Sequence, residues 1–446
     1  MHVIIMGAGK VGFNIAQILS RENHDVVVVE NDPERCQVVE DNLDVQTIRG
    51  NGASLSVLEE AKIREAELLI AVTELDELNM VACLLAKSLG VPRTVARVRN
   101  PEYVDTGALA CTNSLGIDLI INPERVAAKH IAELVDVPEA LNVEYYAEGK
   151  VMLVELPITA DAPVVNKKLK ELKFSNPYLI AAIIRNGNMI VPRGDDRLLS
   201  GDQVFVVAET RVMKTVERLL GRERRRIQSV FILGGGRLGF YLATLLEKKG
   251  VKVKMLEKNL QKCRGISEQL SRTMVLHGDG TDIQLLEQED AGKVDLFVAV
   301  TGDDKVNLLV SLLAKELGAK KTIAQIQRSD YVPLVEKIGI DVAISPRTLT
   351  AGAILKYIRR GDIVSVSLLD GAKAETMEII VPQRADIINR TLTSLKFPGN
   401  ALIGAVVREG KVIIPSGSDI LLPGDHVIVF ALPEAVSKVE RFFAAM

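Results

Sequence analysis

Three glycines near the start of the chain are spaced as Gly-x-Gly-x-x-Gly, in Gly7-Ala8-Gly9-Lys10-Val11-Gly12. An apolar run, His2 to Met6, leads into them, and Phe13 to Leu19 follows with apolar residues at helical spacing. Strand, tight turn and helix in that order make an anion site, because unpaired N–H groups and the positive end of the helix dipole face the turn. In such a turn Gly7 permits the bend, Gly9 lets phosphates approach the backbone, and Gly12 lets helix and strand pack closely. Ala8 and Val11 complete the loop. Lys10 either reaches a phosphate or a neighbouring subunit's ligand, or stays solvated on the first helical turn. Glu30 ends the next apolar run, Val26 to Val29, eighteen residues beyond Gly12. A carboxylate there takes two ribose hydroxyls and repels a 2′-phosphate, so NAD or NADH is predicted over NADP.

The same arrangement returns in Gly234-Gly235-Gly236-Arg237-Leu238-Gly239, with Glu257 again eighteen residues beyond the last glycine. Thr73, followed by Glu74, and Thr301 each end a fourth strand, where a ligand crosses the carboxyl ends of a parallel sheet. Arg97 ends the fifth strand and is a further candidate; Arg99 competes with it, and Gln325 replaces it in the second half. Asn51 and Asp279 are either adenine-side contacts or turn caps. Because Asn51 is answered by Asp279 and Glu74 by Gly302, the two clefts are expected to prefer different nucleotides. No catalytic residue and no metal site is predicted. None of the histidines (His2, His24, His130, His277, His426) has a carboxylate or cysteine at metal-ligand spacing. Tyr146 to Lys150 matches a reductase spacing, but Gly149 and the surrounding strand pattern argue against the helix it needs. Cys36 and Cys263 correspond in the repeat and are expected to pack helices.

These residues must be held by elements that alternate. After Glu30 the pattern predicts a helix over Pro33–Asp41, a strand over Val45–Ile48, a helix over Leu55–Lys62 and a strand over Leu68–Val72. A helix over Asp76–Leu89, strands over Thr94–Val98 and Ile117–Ile121, and a helix over Glu124–Leu134 complete the series. Short, nearly continuous apolar strands separated by helices specify a parallel sheet covered on both faces. From Val143 the texture changes to strands over Val151–Leu156, Leu179–Ile184, Met189–Val191 and Gln203–Ala208, with short helices over Lys167–Lys173 and Arg211–Leu220. This is a small α+β lobe. The basic segment Gly221–Arg226 reads as a solvated connector. Then everything repeats at an offset of 223 to 228 residues, through Gly278-Asp279-Gly280, Thr301 to Asn307, Gly339 to Pro346 and Gly424-Asp425. The fold class is α/β: two tandem copies of a Rossmann-like doubly wound lobe, each followed by a small α+β lobe. The expected boundaries are 1–137, 142–221, 228–360 and 363–446.

Composition narrows the functional classes. The chain has 446 residues, 25% charged and 48% hydrophobic, with a net charge of −3. Bulk charge therefore offers no attraction to nucleic acid. Leu179 to Ile184, among the longest apolar runs, falls far short of the ~20 residues that cross a bilayer, so no direct membrane insertion is expected. The chain enters a strand at once, so no secretory leader is expected, and its four cysteines, Cys111 included, are expected to be free thiols in the cytoplasm.

The doubled Rossmann-plus-small-lobe plan resembles the RCK (KTN plus RCK-C) regulatory modules of potassium transport. With Gly7–Gly12 and Gly234–Gly239 opening the halves, it is similar to the family of bacterial Trk potassium-uptake regulators. Asn79–Cys83, Val95–Arg99 with Pro101–Tyr103, and Asp341–Pro346 carry the likeness, which spans residues 1–446. It implies a cytoplasmic protein, peripheral on the inner face of the membrane, that binds NAD(H) and also ATP or ADP. It further implies a homotetrameric ring of eight modules beneath an integral-membrane Trk potassium channel subunit. The residues themselves point to binding without turnover, since two dinucleotide clefts occur with no substrate domain and no acid–base group. An NAD-dependent oxidoreductase is the alternative, and it would need such a group beside the nicotinamide.

Overall fold

The computed structural model describes residues 1–104, 116–172, 177–223, 225–328, 331–358, 363–369, 373–383 and 387–444. Cys111, Lys173, Phe174 and Arg224 lie outside these. The chain divides into two compact units, one of residues 1–127, 326–329 and 345–358, the other of 128–325, 330–344 and 359–446.

The first unit is built on six parallel strands: β1 (His2–Met6), β2 (Asp25–Glu30), β3 (Gln46–Arg49), β4 (Leu68–Ala71), β5 (Arg93–Arg97) and β6 (Leu119–Ile121). Their order is β3-β2-β1-β4-β5-β6, with Met6 beside Val29 on one side and Ala71 on the other. Val3, Ile4 and Ile5 are wholly buried, which is why the strand shows no polar alternation. The strand order reverses between β1 and β4, and a cleft opens at their carboxyl ends. Helix Lys10–Arg21 buries Val11, Ile15 and Leu19 at four-residue spacing. Helix Pro33–Asn42 starts with proline at its first position, capped by the Asp32 side chain, which accepts from Glu34 N.

The helix Pro346–Ile358, from the second half of the chain, completes this unit. It lies on helix Lys10–Arg21 and beside β6, and buries Ala351, Ile354, Leu355 and Ile358. Arg93 Nη1, at the start of β5, donates to the helix's last carbonyl, Ile358 O, at 2.8 Å.

In the second unit β12 (Ser229–Leu233), β13 (Lys252–Glu257), β14 (Met274–His277), β15 (Leu296–Ala299), β16 (Thr322–Gln325) and β17 (Val342–Ile344) repeat the first sheet in the order β14-β13-β12-β15-β16-β17. Residues 128–136 of helix Pro123–Asp136 belong here: Lys249 Nζ donates to Ala132 O at 2.9 Å and pairs with Asp136 at 2.5 Å. Lys321, which holds the place of Arg93 in the repeat, donates to Pro138 O at 2.7 Å and to Ala140 O. The two halves thus exchange their last Rossmann helices, and a cation at the start of the fifth strand holds the last carbonyl of one and the segment just after the other.

The same unit holds both small lobes. β7 (Asn142–Tyr146), β8 (Val151–Pro157), β9 (Tyr178–Arg185), β10 (Asn188–Ile190) and β11 (Gln203–Glu209) form an antiparallel sheet ordered β10-β9-β11-β8-β7. β18 (Ile363–Leu369), β19 (Ala374–Ile380), β20 (Ala401–Arg408), β21 (Lys411–Ile413) and β22 (His426–Ala431) form the second, ordered β18-β19-β22-β20-β21. One core joins them, in which Leu153, Phe205 and Val207 meet Ala405, Ile428 and Phe430. The helix expected over Lys167–Lys173 is reduced to a single 3-10 turn, Leu169–Glu171. Its amides turn outward, Leu169 N to Asp196 O and Lys170 N to Gly194 O, so no α-helical ladder forms. β7 is a strand beyond those the sequence pattern predicts. Arg222, in the expected connector, donates to Pro157 O through Nε (3.0 Å) and Nη2 (2.9 Å) and is not simply solvated.

Candidate nucleotide-binding clefts

The glycine loop is shaped by two close approaches. Gly7 has φ +99°, and a Cβ on Gly12 would stand 1.9 Å from Gly7 O, so a side chain at position 12 would push helix and strand apart. Gly9 is the helix N-cap, and a Cβ there would meet nothing nearer than the Arg35 guanidinium at 3.9 Å, leaving room above the loop. The first bond of the turn is Phe13 N to Gly9 O at 2.9 Å, so the amides before Phe13 have no partner inside the helix. Gly234 (φ +109°) and Gly239 (Cβ 2.0 Å from Gly234 O) repeat the arrangement.

Glu30 is pinned to that loop. Its carboxylate accepts from Ala8 N at 2.6 Å, Asn31 N at 2.7 Å and Asp32 N at 3.0 Å. Glu257 accepts from Gly235 N and Asn259 N, both at 2.8 Å. Each carboxylate is oriented by backbone donors at the cleft mouth; of its roughly four acceptor sites Glu30 keeps one for a ribose hydroxyl and Glu257 keeps two. Cys36 and Cys263 sit behind these residues and bond Glu30 O (3.5 Å) and Glu257 O (3.4 Å). Burial, followed by the nearby glutamate charge, raises both thiols above their ordinary value, which marks them as packing residues.

At the ends of β4 and β5 a buried asparagine does the joining. Asn79 Oδ1 accepts from Thr73 N (2.9 Å) and Thr73 Oγ1 (2.7 Å), and Nδ2 donates to Thr73 O (3.1 Å) and Arg97 O (2.8 Å). Asn307 makes the same four bonds to Thr301 and Gln325. The threonine hydroxyl protons are therefore committed to asparagine, and each hydroxyl faces a ligand only as an acceptor. Asn51 Oδ1 accepts from Ala53 N at 3.0 Å, capping its own turn. Asp279 caps likewise on Thr281 N at 3.0 Å, and Lys258 at 2.7 Å, the main cause, holds its carboxyl down to about 2.

The first cleft is a cavity of about 770 Å³ lined by Gly7, Gly9, Lys10, Val11, Glu30, Asn51, Thr73, Glu74 and Arg97. Arg35, Arg99 and Arg347 line it as well. Ala8 and Gly12 are outside its lining. Arg97 Nη1 donates to Thr73 O at 3.1 Å, while its buried Nε has no hydrogen-bond partner among the described residues. Burial and then the Arg99 charge lower its affinity for its proton. Arg99 Nε donates to Glu124 at 2.7 Å, a pair reinforced through Nη2. The second cleft, about 480 Å³, is lined by Gly234, Gly236, Glu257, Asp279 and Thr301, with Lys258 and Lys262 as its cations. Gly235, Arg237, Leu238 and Gly239 are outside its lining. Gln325 and Gln327 occupy the positions of Arg97 and Arg99, so the first cleft is the more cationic. Two of these contributors carried a sequence signal: Asn79 and Asn307 stand six residues past the threonine in both copies. Arg347 carried none. Among the described residues no group of three or more His, Cys, Asp or Glu side chains is placed to hold a metal, and no helix is long and apolar enough to cross a membrane.

Comparison with known proteins finds the TrkA-N domain model at residues 3–123 and 230–346, and the TrkA-C domain model at 153–221 and 376–444. The chain is 39% identical over 451 residues to Trk system potassium uptake protein TrkA homolog 2 of Methanosarcina mazei, covering 99% of this chain and 100% of that protein. It is 40% identical to Trk system potassium uptake protein TrkA of Halomonas elongata, covering 99% and 98%. Among solved structures, the GsuK channel bound to NAD shares the fold, with a TM-score of 0.62 at 19% identity over 100% of this chain and 79% of that one. Two tandem domain matches and full-length relatives agree with the duplicated architecture, and the chain belongs to the TrkA family of Trk-system potassium uptake proteins.

Proposed function

We propose that the protein is a nucleotide-binding regulatory subunit of potassium uptake, without enzymatic turnover, that acts on an integral-membrane Trk channel subunit. The observation that carries this is the duplicated cradle: a glycine loop opening a helix, with a carboxylate bonded to the loop amide at 2.6 Å in one half and 2.8 Å in the other. It fits a pyrophosphate over the helix N-terminus and a ribose on Glu30 or Glu257. NAD or NADH is the ligand of this chemistry. The additional cations of the first cleft also suit ATP or ADP, and the second cleft, with two lysines balanced by Glu257, Asp279 and Asp303, suits the less charged dinucleotide. The likeness in fold to the GsuK channel bound to NAD supports this reading.

Calorimetry with NAD, NADH, ADP and ATP is the direct test. Glu30→Gln keeps the side chain's shape and should weaken binding at the first cleft by about 10-fold or more, through loss of charge-assisted bonds to ribose and to the loop amides. Unchanged affinity in both Glu30→Gln and Glu257→Gln would remove the basis of the reading. Regulation requires reciprocity: if a nucleotide alters affinity for the membrane subunit, that subunit must alter nucleotide affinity by the same factor. Self-association as a homotetramer belongs to the same proposal. Helix Asp76–Ser88 leaves Val81 and Leu84 exposed at 45% and 42%, an apolar surface suited to a second copy. Light scattering that gives a monomer mass at micromolar concentration would exclude it.

A further inference from the structure

We propose that Arg347, carried by the second half of the chain, is the specificity-determining cation of the first cleft and pairs with the outer phosphate of a bound nucleotide. This rests on the reading that the cleft takes a nucleotide. Three observations place Arg347 there.

The first is position. Arg347 lines the same cavity as Gly9, Lys10, Glu30 and Arg97, although it is 335 residues beyond Gly12 in sequence. The second is its unspent charge. Arg347 donates to Gln327 O and Gln327 Oε1, both at 3.2 Å. Both acceptors are neutral and both bonds are long, and no ion pair with a described carboxylate is formed. The equivalent position in the first half is Glu124, whose carboxylate already holds Arg99. At this place the repeat has exchanged an anion for a cation.

The third is rigidity. Helix Pro346–Ile358 lies on helix Lys10–Arg21, whose N-terminus forms the phosphate cradle. Ala351, Ile354, Leu355 and Ile358 bury its apolar side, and Arg93 ties its far end through Ile358 O at 2.8 Å. The guanidinium is thereby held in register with the loop that would grip the inner phosphates. A planar guanidinium suits a terminal phosphate because it offers two parallel donors and a permanent charge. Among the described residues that line the second cleft there is no arginine counterpart, so the discrimination belongs to the first.

The test uses the full chain with Glu257→Arg to silence the second cleft, and the same measurements without it to count sites. Adenosine, AMP, ADP and ATP are titrated into the parent, Arg347→Gln and Arg347→Lys by calorimetry at two salt concentrations. The expected result is an ATP affinity at least about 10-fold weaker in Arg347→Gln, with AMP changed less than about twofold and Arg347→Lys in between. The ATP affinity of the parent should also fall more steeply with salt than that of Arg347→Gln. Equal losses for ATP and AMP would mean that Arg347 only seats the helix, and no loss for either would mean that it does not face the ligand; each overturns the proposal. A parent that binds none of the four compounds overturns the nucleotide reading itself, and this inference with it.

Discussion

At the scale of single residues, the clefts depend on side chains that touch no ligand. Asn79 is fully buried and satisfies four hydrogen-bonding positions at the ends of β4 and β5. Asn79→Ala would leave Thr73 N–H and the carbonyl of Arg97 without partners in a water-excluded place. The expected cost is about 2–4 kcal/mol, since unmade buried bonds carry their full desolvation penalty. It should appear as a lower denaturation midpoint together with weakened nucleotide binding, and Asn307→Ala should do the same for the second cleft. An unchanged midpoint would show that the cross-link is dispensable. Glu30 has a comparable double role, because its three backbone bonds shape the loop that would bind phosphate.

At the scale of elements, each small lobe is closed by one arginine fork. Arg185 grips Asp202 through Nε and Nη2, both at 2.8 Å, and Arg408 grips Asp425 at 2.8 and 2.7 Å. Asp202 and Asp425 are 1% and 2% exposed, and each also accepts a backbone amide of its own turn, from Leu199 N and Leu422 N. Removing the arginine strands a buried carboxylate, so Arg185→Ala and Arg408→Ala should each cost about 3–5 kcal/mol. Arg211→Ala, which breaks a pair whose arginine is 85% exposed, should shift stability by less than about 0.5 kcal/mol. Urea denaturation of the three variants separates the cases, and equal effects would refute the distinction between buried and exposed pairs.

At the scale of the whole molecule, the exchanged helices carry a pH dependence. His130 lies on helix Pro123–Asp136, and burial, then the charge of Lys321, pushes its imidazole down to about 4. Burial also pushes Lys321 down to about 8. A base whose folded value is depressed leaves the unfolded chain holding more protons between the two values, so stability rises with pH across that window. For His130 the window runs from about 4 up to its ordinary value near 6.5. Acidification through it should cost about 1–3 kcal/mol, and His130→Gln should flatten that part of the stability profile. A parent profile that is level between pH 6.5 and 4 would contradict this placement of His130.

Much of this architecture is legible in the sequence because it is local. Apolar runs without alternation specify strands covered on both faces, and the spacing of Gly7, Gly9 and Gly12 specifies a turn that only small residues complete. The duplication is visible because both copies keep the same landmarks, from Glu30 and Glu257 to Asn79 and Asn307. The turn at Leu169 departs from the helix its sequence predicts because its amides bond Asp196 O and Gly194 O, partners that a local window does not contain. The larger omission is Arg347. Nothing near it in sequence marks it as a cleft residue, since its neighbours encode only a largely apolar helix with a proline at its start. Its role depends on which surface buries that helix's apolar side, and the surface chosen is helix Lys10–Arg21 of the other half. Periodicity determines that a face must be covered; only packing complementarity between distant segments decides what covers it, and so which charges meet in the first cleft.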